Sequence, residues 1–369
     1  MFFFPMSLNR IRSAILLLLI AMCMGEDPPA AVPTYTTGSA ALLFLTRHQG
    51  ADGSWDPLTY TAQCTLEPKC EPGVGGPDDQ VALTAQALRC FFNAGYDHKQ
   101  LSKHRAAVAS GLAWLRAKQR EDGSFSTSLE AHIHATAIMG IALAMTNDQT
   151  LMEPTQRAAT WLLEHRLRET AIKPVGWGDK RGVSTLLTME GFLALRACSI
   201  SKLELADSME RIWAWVEQVW WEENPQWATF DPYVDEARFP AWRSAMGKRQ
   251  GEATLAAAVL TAFRHPNADA QMWTLMNRGK RLLLEPGALN DKRTVFCAQV
   301  AGFMFGSEWF QWWLKYSRPQ IWETQRRGAD CLFGSWDPPA DQPHGRLQST
   351  FYSLRADSVI RHPPDVFVR

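Results

Sequence analysis

Six short stretches of small and apolar residues recur along the chain, and each carries a threonine at the same place. The threonines are separated by roughly 40 to 66 residues, a spacing typical of repeated supersecondary units. A polar residue stands four positions before each threonine, and positions four apart share one face of a helix. The pattern therefore predicts six equivalent helices. The threonines are Thr84, Thr136, Thr188, Thr254, Thr294 and Thr350, and the polar residues are Gln80, His132, Ser184, Gln250, Asn290 and Arg346.

The stretches between the threonine helices carry bulkier apolar residues at three- and four-residue spacing, which predicts a second set of helices. Gly, Pro and Asp-Gly turns separate the two sets, and strand signals are scarce. The pattern predicts an all-α protein of twelve helices in six hairpins. We expect the small-residue helices inside, because helices crowded around an axis must approach closely. The predicted outer helices cover residues 40–47, 108–118, 156–165, 209–219, 272–284 and 309–316.

The six polar residues that precede the threonines are named the polar ring. If the inner helices surround one axis, we expect the polar ring to face that axis near one end, together with Asp78 or Asp79. The polar ring would then line a ligand-binding cavity. A ring of six hairpins also hides both end faces, which an open array of repeats must cap.

Length and charge limit the possible functions. The chain has 369 residues and is 46% hydrophobic, enough for a large core, and a repeat array of this length can form one domain. Its formal net charge is zero and it has no long basic run. The footprint of a nucleic-acid-binding protein is therefore absent from the sequence.

The N-terminus has the pattern of a secretory signal. Arg10 and Arg12 precede the apolar stretch 14–24, and a polar segment follows Gly25. An uncleaved anchor is the alternative. Lipidation at Cys23 is disfavoured because bulky Met22 stands where a lipoprotein signal has a small residue.

This interpretation divides the chain into four parts. We expect a signal peptide over 1–25, a linker over 26–37, a single domain over 38–362 and a tail over 363–369. No second apolar run approaches 18 residues, so we expect no transmembrane span in the mature chain. The predicted location is the periplasm or the extracellular space.

The cysteines suggest one covalent link. Cys64 and Cys70 bracket a short loop, and in an oxidising compartment such a pair favours a disulfide, with free loop thiols as the alternative. Cys331 precedes a turn and its role is left open. Three more cysteines lie in helical runs and are interpreted as small buried apolar residues: Cys90, Cys198 and Cys297.

The turns carry a recurring signature. Residues 49–55 have Gln at the first, Gly at the fifth and Trp at the seventh position, and residues 119–125 repeat this with a final Phe. Residues 176–178 are a degenerate copy, and residues 334–336 are a late copy with Gln325 upstream. The signature resembles the QW repeat of the terpenoid cyclases.

Over roughly residues 38 to 360 the chain resembles the prenyltransferase and squalene cyclase repeat family. The resemblance implies an (α/α)6 toroid in which the Gln amide packs against the turn aromatic and ties neighbouring hairpins together. ADGSWD, GPDDQVALTAQAL and GSWDP are also similar to a group of exported bacterial repeat proteins without a settled activity. The resemblance therefore informs fold more than function.

The sequence lacks part of the catalytic motif of the terpenoid cyclases. Terpenoid cyclases of this family protonate their substrate with the central acid of a D-x-D-D motif. Residues 76–79 (GPDD) lack the first aspartate, and no D-D-x-x-D motif occurs. Asp78 and Asp79 are the candidate catalytic acids. The alternative is that they cap an inner helix, where carboxylates satisfy free N–H groups.

A zinc site like that of the protein prenyltransferases is a further possibility. The resemblance points to Asp330, Cys331 and His344, but their spacing departs from the family pattern. His132 and His134 point in different directions on a helix and do not form a metal clasp. The sequence therefore predicts no metal and no cofactor.

Residues 220–249 form a long connection rich in tryptophan and carboxylates. Such a segment can form a sugar-binding rim, and two suitably spaced carboxylates can hydrolyse a glycosidic bond. The alternative is a loop that covers an apolar end of the helical layers. The candidate rim residues are Trp227, Asp231, Asp235 and Trp242.

Three function classes follow. The sequence favours an exported binding or scaffold protein whose partner is an apolar small molecule, a glycan or a protein. A divergent isoprenoid-processing enzyme is the first alternative, and a carbohydrate-active enzyme on the same helical architecture is the second.

Overall fold

The computed structural model describes residues 36–339 and 344–361, apart from the gaps 167–175, 180–181, 202, 204–254, 264–274, 278, 281–282 and 285–287. All described residues belong to one structural unit, Thr36–Arg369. Thr254, Gln250 and the candidate rim residues Trp227, Asp231, Asp235 and Trp242 lie outside the described residues, as do residues 1–35.

The described chain is mostly helical, which confirms the predicted all-α class. Residues 255–263, 275–277 and 279–280 are helical as well. Strands β1 (Gly178–Asp179) and β2 (Gly182–Val183) form a two-residue antiparallel hairpin. The helices are α1 (Thr37–Arg47), α2 (Pro77–Asn93), α3 (Arg105–Ala117), α4 (Leu129–Thr146), α5 (Met152–Glu164), α6 (Thr185–Ile200), α7 (Lys292–Phe305), α8 (Ser307–Arg318) and α9 (Gly345–Arg361).

Short polar side chains start several of these helices. The side chains of Thr36, Ser128, Ser184 and Asp291 each accept a hydrogen bond from a backbone N–H in the first turn of the helix that follows. These bonds satisfy donors that a helix N-terminus otherwise leaves free. In the described part of the chain, three short 3₁₀ helices and one π-helical turn lie outside these α-helices. They cover Tyr60–Gln63, Gln149–Leu151, Ala288–Asn290 and, for the π-helical turn, Pro319–Glu323.

The threonine helices form the inner layer. Helix α4 packs against α6 and α2, α2 packs against α9, and α9 packs against α7. The outer helices α3, α5 and α8 pack on α2, α4 and α7 respectively, and α1 contacts both α2 and α9. The beginning of the described chain therefore meets its end.

Small residues permit this close packing. A Cβ added at Gly140 of α4 would lie 2.8 Å from the backbone nitrogen of Cys198 in α6. Helix α4 is buried almost all round, since its residues 131–143 are all buried. By length and composition it is also the one helix among the described residues that is apolar enough to cross a bilayer, but 72% of its most apolar window is buried inside the protein.

Candidate functional site

The recurring threonines bind the aromatic residues of the turns. The Oγ1 atom of Thr84 accepts the backbone N–H of Trp55 at 3.0 Å, and the Trp55 indole N–H donates to the carbonyl of Leu45 in α1 at 2.8 Å. A buried aromatic residue is thereby held between an inner and an outer helix. The same pair of bonds joins Trp177 to Thr188 and Leu162, and Trp336 to Thr350 and Ile321.

The second repeat uses a histidine for this purpose. The Nδ1 atom of His132 accepts the backbone N–H of Phe125 at 3.2 Å, and its Nε2 lies 3.1 Å from both Thr136 Oγ1 and the Ala158 carbonyl. Burial lowers the pKa of His132 to about 4, so the ring is neutral at pH 7. His132 therefore joins helices and is not placed to exchange a proton with a substrate.

The turn glutamines tie each turn to the next outer helix. The Gln49 amide donates to the carbonyls of Gly53, at 2.7 Å, and Ala107 in α3, at 2.9 Å. Gln119 binds Gly123 and Pro154 of α5 in the same manner. Equivalent bonds run from Gln325 to Gly334 and to Thr37, both at 2.9 Å, and so connect the last described turn to the first helix.

Removal of a turn-binding hydroxyl is expected to destabilise the fold. In Thr84→Val the side chain keeps its shape, but the buried N–H of Trp55 loses its acceptor, which costs about 1–3 kcal/mol. Thr160→Val is the matched control, because Thr160 is exposed on α5. Urea unfolding of both variants checks the difference, and equal stabilities would show that the hydroxyl has no such role.

Several described members of the polar ring contact the turns that precede their helices. Gln80 donates to Ser54 Oγ at 2.8 Å, and Arg346 binds Ser335 Oγ at 3.1 Å and Asp337 at 2.7 Å. Each of these contacts is made with the turn that precedes the inner helix. Ser184 caps α6, and Asn290 is exposed in a short turn.

The candidate acids are held by structural contacts. Asp78 accepts hydrogen bonds from the side chains of Ser126 and Thr127. Burial alone would raise the pKa of Asp78, but these hydroxyl donors lower it below its usual value. Asp79 accepts the backbone N–H of Gly76 at 2.8 Å and lies 3.4 Å from His344 Nε2. Both aspartates occupy the first turn of α2, which matches the capping alternative.

The three residues considered for a prenyltransferase-like zinc site are not brought together. Asp330 Oδ1 accepts the backbone N–H of Leu332 at 2.9 Å, a local turn contact. The His344 ring lies against Asp79 and the Val74 carbonyl. Cys331 belongs to a different cluster, described below.

A buried ion cluster lies between the inner helices α2, α6 and α9. Glu190 of α6 lies 3.4 Å from a guanidinium nitrogen of Arg355 in α9 and 3.8 Å from one of Arg89 in α2. All three residues are at most 2% exposed, and the Arg355 guanidinium stacks over the ring of Phe296 in α7 at 4.0 Å. The described inner helices thus meet on packed side chains.

The charges in this cluster are stabilised by each other. Burial would raise the pKa of Glu190, but the positive charges of Arg355 and Arg89 lower it to about 2. Burial lowers the pKa of Arg89 to about 10, so both ions are charged at pH 7. Sequence reasoning missed the cluster, although Arg89 and Glu190 each stand among small and apolar residues, which was the signal that could have indicated it.

Four potential metal ligands form a second buried cluster. His48 Nε2 lies 3.5 Å from the sulfur of Cys64, 3.4 Å from that of Cys70 and 3.3 Å from that of Cys331. The four ligand atoms all lie within 4.8 Å of one another and all four residues are buried. The predicted Cys64–Cys70 disulfide is not formed in the structure, where both thiols are free.

The environment of the cluster favours neutral groups when no ion is bound. Burial lowers the pKa of His48 to about 4 and raises that of the Cys70 thiol well above its usual range. Sequence reasoning linked Cys64 to Cys70 by their proximity, but it considered Cys331 as a metal ligand only with Asp330 and His344, and it did not consider His48. His48 and Cys331 lie near opposite ends of the described chain. The sequence shows that each can bind a metal ion, but it does not show that they are close in space.

The chain matches no protein-family model, and no curated protein matches it.

Proposed function

We propose that the chain is an exported (α/α)6 toroid, similar to the prenyltransferase and squalene cyclase repeat proteins, that acts as a binding or scaffold protein and not as a cyclase. The observation that carries the proposal is the buried cluster of Arg89, Glu190 and Arg355 between the inner helices. A cyclase needs an open, apolar cavity there to fold its substrate. Here the charged side chains of α2, α6 and α9 meet between these helices.

The equivalent turn contacts support the closed ring. Gln49 and Gly53 contact the start of α3, and Gln119 and Gly123 contact the start of α5. Gln325 makes the corresponding bond to Thr37 at the start of α1. A closed ring of repeats requires a contact between the last turn and the first helix. An open array of repeats would lack this contact.

The state of the candidate acids supports a protein without cyclase activity. A general acid that protonates an alkene must hold its proton, so its pKa has to be raised. The hydroxyl donors of Ser126 and Thr127 instead lower the pKa of Asp78. Asp79 accepts a hydrogen bond from the Gly76 N–H and lies 3.4 Å from His344 Nε2.

Incubation of the purified protein with squalene and with shorter isoprenoids tests this proposal. We expect neither cyclised product nor stoichiometric uptake of squalene in equilibrium dialysis, because the buried charges of the ion cluster disfavour an apolar ligand between these helices. Turnover that Asp79→Asn abolishes, and that the exposed control Glu153→Gln retains, would contradict the proposal and favour a divergent cyclase. Hydrolysis of a glycan by the same preparation would favour a carbohydrate-active enzyme instead.

A further inference from the structure

We propose that His48, Cys64, Cys70 and Cys331 form a structural zinc site that joins the first repeat to the last. The inference does not depend on the proposed function, because it rests on the four side chains alone.

The distances between the ligand atoms match a tetrahedral zinc site. With Zn–S bonds of about 2.3 Å and a Zn–N bond of about 2.0–2.1 Å, the N–S edge of a tetrahedron measures about 3.5 Å. The distances from His48 Nε2 to the three sulfur atoms are 3.5, 3.4 and 3.3 Å. The sulfur atoms lie within 4.8 Å of one another, whereas the S–S edge of such a tetrahedron is about 3.8 Å, so one central ion would draw the sulfur atoms together by up to about 1 Å.

The histidine is oriented for metal binding by its second nitrogen. His48 Nδ1 lies 2.8 Å from the Phe44 carbonyl, which can only accept, so Nδ1 carries the proton. The lone pair of Nε2 then points toward the three thiols. A carbonyl partner on the outer nitrogen is the usual arrangement for a zinc-bound histidine, since it fixes both the tautomer and the ring plane.

The surroundings keep the sulfur atoms in place. The backbone N–H of Cys70 points at the Cys64 sulfur at 3.4 Å, a contact that stabilises a thiolate. The His48 ring packs against the rings of Phe44 and Tyr60, at centroid distances of 4.1 and 5.8 Å. The Tyr60 hydroxyl donates to the Glu71 carbonyl at 2.6 Å and so holds the loop that carries Cys64 and Cys70.

The donor set selects the ion and its role. Three thiolates and an imidazole are soft ligands that favour zinc and disfavour magnesium or calcium. Four protein ligands complete a tetrahedron and leave no position for water or substrate, which is the mark of a structural site. All four residues are buried, so the bound ion would be shielded from solvent.

The positions of the four ligands indicate which parts of the fold the ion would connect. His48 ends α1, and Cys64 and Cys70 belong to the connection between α1 and α2. Cys331 comes from the turn before Trp336, close to the end of the chain. A zinc ion at this point would hold the irregular connection 49–76 against the last turn, beside the bonds that Gln325 and Arg47 make across the same junction.

Metal analysis of the untagged full-length protein tests the proposal. Plasma mass spectrometry is expected to find about one zinc per chain, falling to near zero in Cys70→Ser and in Cys331→Ser. Cys90→Ala is the matched control, because Cys90 is a buried cysteine in α2 outside the cluster, and it is expected to retain the zinc. Chelation should lower the thermal midpoint of the wild type and leave those of the two serine variants unchanged.

The wild-type protein provides a test that does not require the variants to fold. Exchange of the bound ion for Co²⁺ is expected to produce the visible bands of tetrahedral, thiolate-bound cobalt. The proposal would be overturned if protein purified without chelator contained no zinc and did not bind cobalt. A Cys64–Cys70 disulfide found by mass spectrometry would also overturn it. Iron in place of zinc would contradict the choice of metal.

Discussion

Glu190→Gln is expected to destabilise the protein by about 3–5 kcal/mol, the effect of removing one partner of a buried ion pair. The substitution keeps the size of the side chain but removes its charge, which leaves the guanidinium groups of Arg89 and Arg355 facing each other without a counterion. Both arginines are at most 2% exposed. Chemical denaturation monitored by tryptophan fluorescence measures the loss.

The control for this variant is Glu153→Gln. Glu153 pairs with Arg157 on the surface of α5, where its side chain is 71% exposed, so the change should cost less than about 1 kcal/mol. Equal losses in the two variants would show that the central cluster is not a stabilising ion network.

The contribution of Glu190 also depends on pH. Its pKa is lowered from 4.5 to about 2 in the folded protein, so its charge stabilises the fold fully above about pH 5. This stability is lost as the pH falls from 4.5 toward 2. The stability difference between the wild type and Glu190→Gln is therefore expected to shrink over that range, and a constant difference would contradict the assignment.

Gly334→Ala is expected to cost about 3 kcal/mol or more. Gly334 has φ +89°, a conformation that disfavours any side chain by about 1–2 kcal/mol. An added Cβ would also overlap the carbonyl of Ala40 in α1, and overpacking against backbone costs about 1–3 kcal/mol more. The change would push the last turn away from the first helix.

Gly95→Ala separates the two effects. Gly95 has φ +81°, but its added Cβ would meet no atom within 4 Å, so only the conformational cost is expected. Gly123→Ala repeats the clash at α5, where the Cβ would lie 2.6 Å from the Arg157 carbonyl, far from the cysteines in sequence. Thermal unfolding in which Gly334→Ala loses no more stability than Gly95→Ala would show that the contact with α1 is unimportant.

The sequence alone determined the helices and the turns between them. The predicted outer helices at 40–47, 108–118 and 309–316 correspond to α1 (Thr37–Arg47), α3 (Arg105–Ala117) and α8 (Ser307–Arg318). Local spacing of apolar residues was sufficient, because each helix must turn one apolar side toward its neighbours. The described threonines are likewise buried in inner helices, as their small-residue surroundings indicated.

The direction of the polar ring was decided by tertiary structure. A spacing of four places Gln80 and Thr84 on one helix face, but it does not say what lies opposite that face. In the structure the face is turned to the preceding turn, where Ser54 and the backbone of Trp55 offer hydrogen-bonding partners. Buried polar groups need such partners, so the turn accounts for the orientation of Gln80 and Thr84.

The two buried clusters depend on tertiary structure even more. Arg89, Glu190 and Arg355 come from three helices, and His48 and Cys331 come from the first and last parts of the described chain. The periodicity of apolar residues indicates which residues share a face of one helix. It does not indicate which residues from distant parts of the chain share a buried site. Only the packing of the last turn on the first helix brings Cys331 to His48, and with it the four ligands that a zinc ion requires.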